Sequence, residues 1–326
     1  MARIFIDGFE GDDTSIWDAV NSPAMVTAST YSMDGNYALT LYGGTCWVQK
    51  NLTAASEYYF AFWFNVRATN CERVFEVRSG TTTLCSLWRT ADSTGVLKAY
   101  SGYGSTLLAT GTATTPTSTL RKIGIYIKID DSVGRFKVVV DGITDIDYTG
   151  DTKPGADTTI NNVVMGARAG EPNFVIDNFI IDSASMPTDT RIQAVVPTGA
   201  GTTTGYTAST GSNYACVDEV PYSDTDYISV NTADAIDSYA TGNLTGTIGS
   251  VKCVQLQVRA RYEGSTAVPN IAPLVRSNST DYPGANQTLS SSYAPYLKIW
   301  ETDPATSAAW TESGVNAMEI GVKARA

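Results

Sequence analysis

The sequence predicts an all-β protein built as two β-sandwich domains. Three observations carry that reading. Polar and apolar side chains alternate with a period of two along most apolar stretches, and helical periodicity is almost missing. Clusters of Gly, Asp, Asn, Ser, Thr and Pro interrupt the alternation at roughly the 8 to 12 residue spacing of sandwich strands. The composition then changes after "SASMPTDT", which places a boundary near Pro187 and gives domains of 1–186 and 188–326, each long enough to bury its own core.

The strands follow in order. "IFIDGFEGDD" opens the first domain. In "YYFAFWFNV" Phe60, Phe62, Phe64 and Val66 share one face, and "RVFEVRS" follows with the same alternation. In "RKIGIYIKI" Ile123, Ile125, Ile127 and Ile129 lie opposite Lys122, Gly124, Tyr126 and Lys128, the pattern of a half-buried strand. The loop "DDSVG" joins it to "RFKVVVDG", where Asp141-Gly142 reads as a tight hairpin turn, because Asp and Gly tolerate positive φ. "FVIDNFIID" closes the domain. A new series begins with "RIQAVVPT" and includes "VKCVQLQVRARY", in which Val254, Leu256, Val258, Ala260 and Tyr262 take one face and Gln255, Gln257, Arg259 and Arg261 the other. Gly-rich "PTGAGTTTGY" lacks the Gly-Lys-Ser/Thr ending of a phosphate loop and reads as an ordinary loop.

Composition removes several function classes. The formal net charge is -11, with no basic run, which argues against nucleic acid as a partner. Histidine is absent, so Ser-His-Asp and Cys-His nucleophile systems are excluded, and so is the commonest zinc ligand. Cys46, Cys71, Cys85, Cys216 and Cys253 show no C-x-x-C spacing; an odd number fits free thiols, although Cys216 and Cys253 could pair. The start "MARIFIDGFEGDD" has no signal-peptide profile, and no apolar stretch approaches membrane-spanning length, so neither secretion nor a membrane partner is expected. The Asn-x-Ser/Thr triplets at Asn51, Asn243, Asn278 and Asn286 are then incidental. No metal, nucleotide or redox cofactor is implied.

Two groups of residues could carry chemistry. Asp145 and Asp147 in "DGITDIDY" are two apart, so a regular strand would project both to one side, at a spacing open to a glycosidase carboxylate pair; the competing reading is a solvated acidic face. Asp141 belongs to the turn. Among the aromatic residues, Tyr100 and Tyr103 in "LKAYSGYGSTLLATG" lie among Gly and Ser at an expected hairpin tip, where they are candidates for stacking against sugar rings. Trp47 and Trp63 lie in strand patterns and are expected in the core.

"RKIGIYIKIDDSVGRFKVVVDG" resembles the strand, turn, strand and Asp-Gly pattern of laminin-G-like or concanavalin-A-like jelly rolls, and "IFIDGFEGDD" and "FVIDNFIID" resemble the first and last strands, which lie side by side in that fold. The resemblance implies such a jelly roll for 1–186; the strand spacing of the second half predicts a smaller jelly-roll-like sandwich for 188–326. Glycanases of this fold carry Glu-x-Asp-x-Glu; here Glu72 and Glu76 are four apart in "ERVFEV", so hydrolysis is not implied, and no residues match the calcium ligands of some members.

"TDTRIQAVVPTGAGTTTGYTASTGSNYACVDE", "DTDYISVNTADAIDSYA" and "ETDPATSAAWTESGVNAMEIGVKA" resemble C-terminal segments of tailed-bacteriophage virion structural proteins. That resemblance implies a non-enzymatic decoration, head-fibre or tail-associated protein at the virion surface, assembled in the host cytoplasm. Its expected partners are other virion proteins, further copies of itself and a host-surface glycan. The alternatives are a carbohydrate-binding module protein and a glycosidase using Asp145 and Asp147.

Overall fold

The computed structural model describes residues 3–21, 25–28, 32–70, 72–167, 173–187, 190–264 and 267–326. The chain forms two compact units, Met1–Ile192 and Gln193–Ala326, and both are β-sandwiches.

The first unit contains β1 (Arg3–Asp7), β2 (Ala19–Asn21), β3 (Met25–Ala28), β4 (Tyr37–Tyr42), β5 (Cys46–Ala55), β6 (Glu57–Val66), β7 (Arg73–Ser79) and β8 (Thr82–Arg89). It continues with β9 (Leu97–Ser101), β10 (Thr106–Thr110), β11 (Leu120–Lys128), β12 (Gly134–Val140), β13 (Ile143–Gly150), β14 (Ile160–Ala167) and β15 (Asn173–Asp182). One antiparallel sheet runs β13-β12-β11-β6-β15-β4-β3, with β1 also paired to β15; the other runs β10-β9-β8-β7-β14-β5-β2. The first and last strands therefore lie side by side, as the jelly-roll resemblance implies.

The alternating residues build the core. Ile123 and Ile125 of β11 stand opposite Phe62 and Phe60 of β6 and opposite Val140 and Val138 of β12, so each row packs three strands wide. All six are at most 5% exposed. Phe75 of the second sheet meets Phe60 edge-on at 4.9 Å and stacks on Phe62 at 6.4 Å, joining the two sheets. Each buried Phe contributes about 2 to 3 kcal/mol of transfer free energy. The same parity corrects one expectation: with Phe62 and Phe64 inward, Trp63 faces outward beneath Lys122, whose Nζ is 5.0 Å from the ring. Trp47 is likewise half-buried rather than in the core.

Asp141 and Gly142 form the β12–β13 turn with φ of 50° and 83°, both in the left-handed region that a two-residue hairpin of this type requires. Asp141 accepts the Lys122 N–H at 2.8 Å and pairs with Arg121, which ties the turn to β11.

The segment after β15 stays with the first unit beyond Pro187. Asp182 accepts the Ala184 and Ser185 N–H groups, Asn178 Oδ1 accepts the Ile192 N–H, and Arg191 pairs with Asp34. Met186 lies over Gly124 of β11, where a Cβ would come within 2.9 Å of its sulfur.

In the second unit a sheet runs Pro197–Thr204, Ile236–Thr241, Glu319–Arg325, Asn270–Ser277 and Thr280–Pro283, with Gln287–Thr288 also on Asn270–Ser277. A ribbon of Val254–Ala260 and Ala294–Trp300 brings Leu256 and Trp300 into one core cluster with Val275, Trp310, Val315 and Met318. Val315 belongs to the short helix Glu312–Ala317, capped by Thr311, whose hydroxyl accepts the Gly314 N–H at 3.0 Å. Two expectations are corrected here. "RIQAVV" forms no strand, and the supposed loop "PTGAGTTTGY" supplies the edge strand Pro197–Thr204. Its glycines permit that pairing, because a Cβ on Gly201 would lie 2.5 Å from the Ser238 backbone.

Candidate functional site

The outer face of the sheet β10-β9-β8-β7-β14-β5-β2 carries a concentrated polar and aromatic group. On β7, Phe75 and Val77 point into the core, so Glu76 and Arg78 point outward. A β-bulge between Arg73 and Phe75 brings Arg73 to the same outer face, opposite Trp88 of β8. The cross-strand rows are then Arg73, Trp88 and Lys98, followed by Glu76, Ser86 and Tyr100.

Three rings and one guanidinium converge there. Trp88 lies 5.3 Å from Tyr100 and 6.0 Å from Tyr103, centroid to centroid. The Arg73 guanidinium carbon lies 4.7 Å from the Trp88 ring and 4.6 Å from the Tyr103 ring, so the two rings share one cation. The turn after β9 holds Tyr103 in place. Gly102 donates to the Leu84 carbonyl at 2.7 Å, Ser86 Oγ donates to the Gly102 carbonyl at 2.8 Å, and Trp88 Nε1 and Gly104 N–H both donate to Ser86 Oγ. Gly104 has φ +69°, and a Cβ on it would lie 2.5 Å from Trp88 Cζ2; the turn therefore needs glycine to rest on the indole.

Beside this cluster lies an open cleft of about 540 Å³, bounded by Arg78, Thr83, Tyr103, Ser105, Pro154 and Asp157 among others. At its inner edge Arg78 donates through Nε and Nη2 to one Glu76 oxygen, which also accepts the Thr83 hydroxyl at 2.8 Å. The other Glu76 oxygen and Asn162 Oδ1 are buried without a hydrogen-bond partner. Hydroxyls, an amide and flat apolar rings are the groups with which proteins hold sugars, by hydrogen bonds at the edges and stacking on the faces.

Tyr100 and Tyr103 are thus brought together: Tyr103 lies in the β9–β10 hairpin turn as expected but folds back onto the sheet, Tyr100 is on β9, and both are half-buried rather than exposed. Sequence reasoning missed Trp88, Arg73, Glu76 and Arg78. The signal for Glu76 and Arg78 was present, since the parity that buries Phe75 and Val77 turns these two outward.

Asp145 and Asp147 do not form a carboxylate pair. The register shifts between Val138 and Val139, where Ile146 and Thr144 are their partners, so Asp145 sits in a bulge. Asp145 Oδ1 accepts the Thr112 and Ala113 N–H groups at 2.7 and 2.8 Å. Asp147 is held by Arg135 through two hydrogen bonds of 2.9 and 2.8 Å, which lower its pKa from the usual carboxylate value. Each acid is tied to a different neighbour.

A second acidic group lies around β1 and β15. Asp7 accepts the Phe9 N–H and the Trp17 indole N–H, Asp177 accepts the Met33 and Asp34 N–H groups, and Glu10 accepts those of Asn36 and Tyr37. Burial pushes Asp7 and Asp177 up to about 7, against the donated hydrogen bonds. These carboxylates pin loops to strands. Among the described residues no three His, Cys, Asp or Glu side chains are grouped to hold a metal ion. Cys46, Cys85, Cys216 and Cys253 are free thiols, so Cys216 and Cys253 do not pair; Cys71 lies outside the described residues.

No protein-family model and no curated protein matches the sequence. Solved structures similar to the chain include an endo-β-1,4-glucuronan lyase from the fungus Trichoderma reesei, 15% identical over 56% of this chain and 96% of that one, with a TM-score of 0.44. The cellulose-induced protein Cip1 is 15% identical over 56% of this chain and 98% of its own, at 0.44. The carbohydrate-binding module CBM66 from Bacillus subtilis is 10% identical over 49% and 95%, at 0.33.

Proposed function

We propose that the chain is a non-enzymatic saccharide-binding protein whose first unit takes a sugar chain on the outer face at Trp88, Tyr100 and Tyr103. The observation that carries this reading is the convergence of the three rings beside an open cleft bordered by Thr83, Ser105 and Arg78. Rings fixed before the ligand arrives lose little side-chain entropy on binding, which favours stacking. The separate engagement of Asp145 and Asp147 supports binding without hydrolysis by that pair.

The setting we propose is the surface of a tailed-bacteriophage virion, as decoration, head fibre or tail-associated protein, with the second unit docking on other virion proteins in a homo-oligomer. This part rests on the resemblance of residues 188–326 to virion structural proteins. Mass spectrometry of purified particles tests it; absence of the chain from the particles removes the setting and leaves the saccharide site standing.

The saccharide site is tested by a glycan array with wild type and with Trp88→Ala and Tyr103→Ala. Binding by wild type that both variants lose is the expected result. A blank array with folded protein overturns the reading.

A further inference from the structure

Resting on the saccharide site proposed above, we propose that its ligand is an anionic saccharide, with the negative group of a sugar residue received by Arg73 and Lys98 on either side of Trp88. Arg73 is half-buried, yet among the described residues its guanidinium makes no hydrogen bond and no ion pair; its only partners are the faces of Trp88 and Tyr103, and Nε is buried and unsatisfied. The guanidinium carbon lies over two rings inclined at 73° to each other, and with Nε buried the edge left free is the one carrying Nη1 and Nη2. That edge is the part which matches a carboxylate or a sulfate with two parallel hydrogen bonds.

Its neighbours do not neutralise it. Glu76 spends one oxygen on Arg78 and Thr83, so the Glu76 and Arg78 charges cancel each other. Lys98, one strand beyond Trp88, has no acidic partner among the described residues. A further acid, Asp157, lines the cleft together with Pro154. Elsewhere among the described residues the arginines are mostly matched, as Arg121, Arg135, Arg191, Arg259, Arg276 and Arg325 all pair with aspartates. Two unmatched cations flanking an indole are therefore a local reversal of a chain whose net charge is -11. They stand two strand spacings apart, about 10 Å, which lets one sugar span the row beside Trp88 with charged groups reaching either side.

The test is isothermal titration of the full chain with oligogalacturonate, with the same oligomer methyl-esterified, with a sulfated dextran oligomer and with plain dextran oligomer. The expected result is binding of the charged ligands at least tenfold tighter than of their neutral counterparts, weakening as NaCl is raised from about 0.05 to 0.5 M. Arg73→Gln is expected to remove that preference, Arg73→Lys to restore part of it, and Lys98→Gln to reduce it severalfold. Preference for the carboxylate over the sulfate, or the reverse, identifies the anionic group and supports the assignment either way. Equal binding of free and esterified oligomers by wild type, insensitive to salt, overturns this inference while the saccharide site stands. No binding of any of the four overturns both. The salt series on wild type keeps the test decisive should Arg73→Gln fail to fold.

Discussion

Glu76 and Arg78, two residues apart on β7, form a buried ion pair on the outer face of their sheet, with Arg78 Nε and Nη2 donating at 2.9 and 2.8 Å to one Glu76 oxygen. Removing either charge leaves the other almost wholly buried without its partner. Glu76→Gln is expected to destabilise the first unit by about 3 to 5 kcal/mol, read by urea unfolding. A cost under 1 kcal/mol would mean that water reaches Arg78.

The rings on this face are expected to act as a group. Trp88→Ala should weaken saccharide binding by tenfold or more, because it removes the indole and frees Arg73. Tyr59→Ala is the matched control: Tyr59 stacks on Tyr126 at 4.5 Å on the other sheet, so its loss should leave affinity unchanged by titration.

Gly104→Ala asks whether the turn positions Tyr103. The added Cβ meets both the positive φ and the indole 2.5 Å away, at a cost of roughly 1 to 3 kcal/mol in strain or displacement. Binding should fall while the melting temperature drops by only a few degrees.

Stability should fall between pH 5 and pH 8. Asp7 and Asp177 titrate near 7 when folded against an ordinary 3.8, so between those values the folded chain holds more protons than the unfolded one. Their stabilising protonation is complete below the unfolded value and is lost as pH rises through about 7. The chain has no histidine to mask the effect. Thermal melts should show a higher Tm at pH 5 than at pH 8, and Asp177→Asn should flatten the slope at lower overall stability.

Asp145→Asn with Asp147→Asn should leave binding intact and cost about 1 to 2 kcal/mol, from the weakened grip on Thr112 and Ala113 and the lost Arg135 pair. Size-exclusion chromatography of a saccharide incubated with wild type should show unchanged chain length.

The strands of the first unit were legible because its core is periodic: Ile123 to Ile129 and Phe60 to Val66 declare their faces by parity, and Asp141-Gly142 declares its turn. The candidate site was only half legible. Tyr100 and Tyr103 stood out by composition, but the bulge that brings Arg73 beside Trp88 leaves no periodic trace, and the fold of Tyr103 onto the sheet depends on contacts between residues 86, 88 and 104. The bulge at Asp145 undid a pair that regular alternation would have made. In the second unit, glycines chosen for close backbone approach disguised an edge strand as a loop.

The adjacency of β1 and β15 sets a timetable. Arg3 finds its partner at Asp182, so a chain emerging from the ribosome must carry its first strand unpaired until nearly the whole unit has been synthesised. The ring-bearing hairpins β7 to β9 pair within short stretches of sequence and can form long before that closure. The proposed saccharide face would then be laid down early, and the sandwich sealed last.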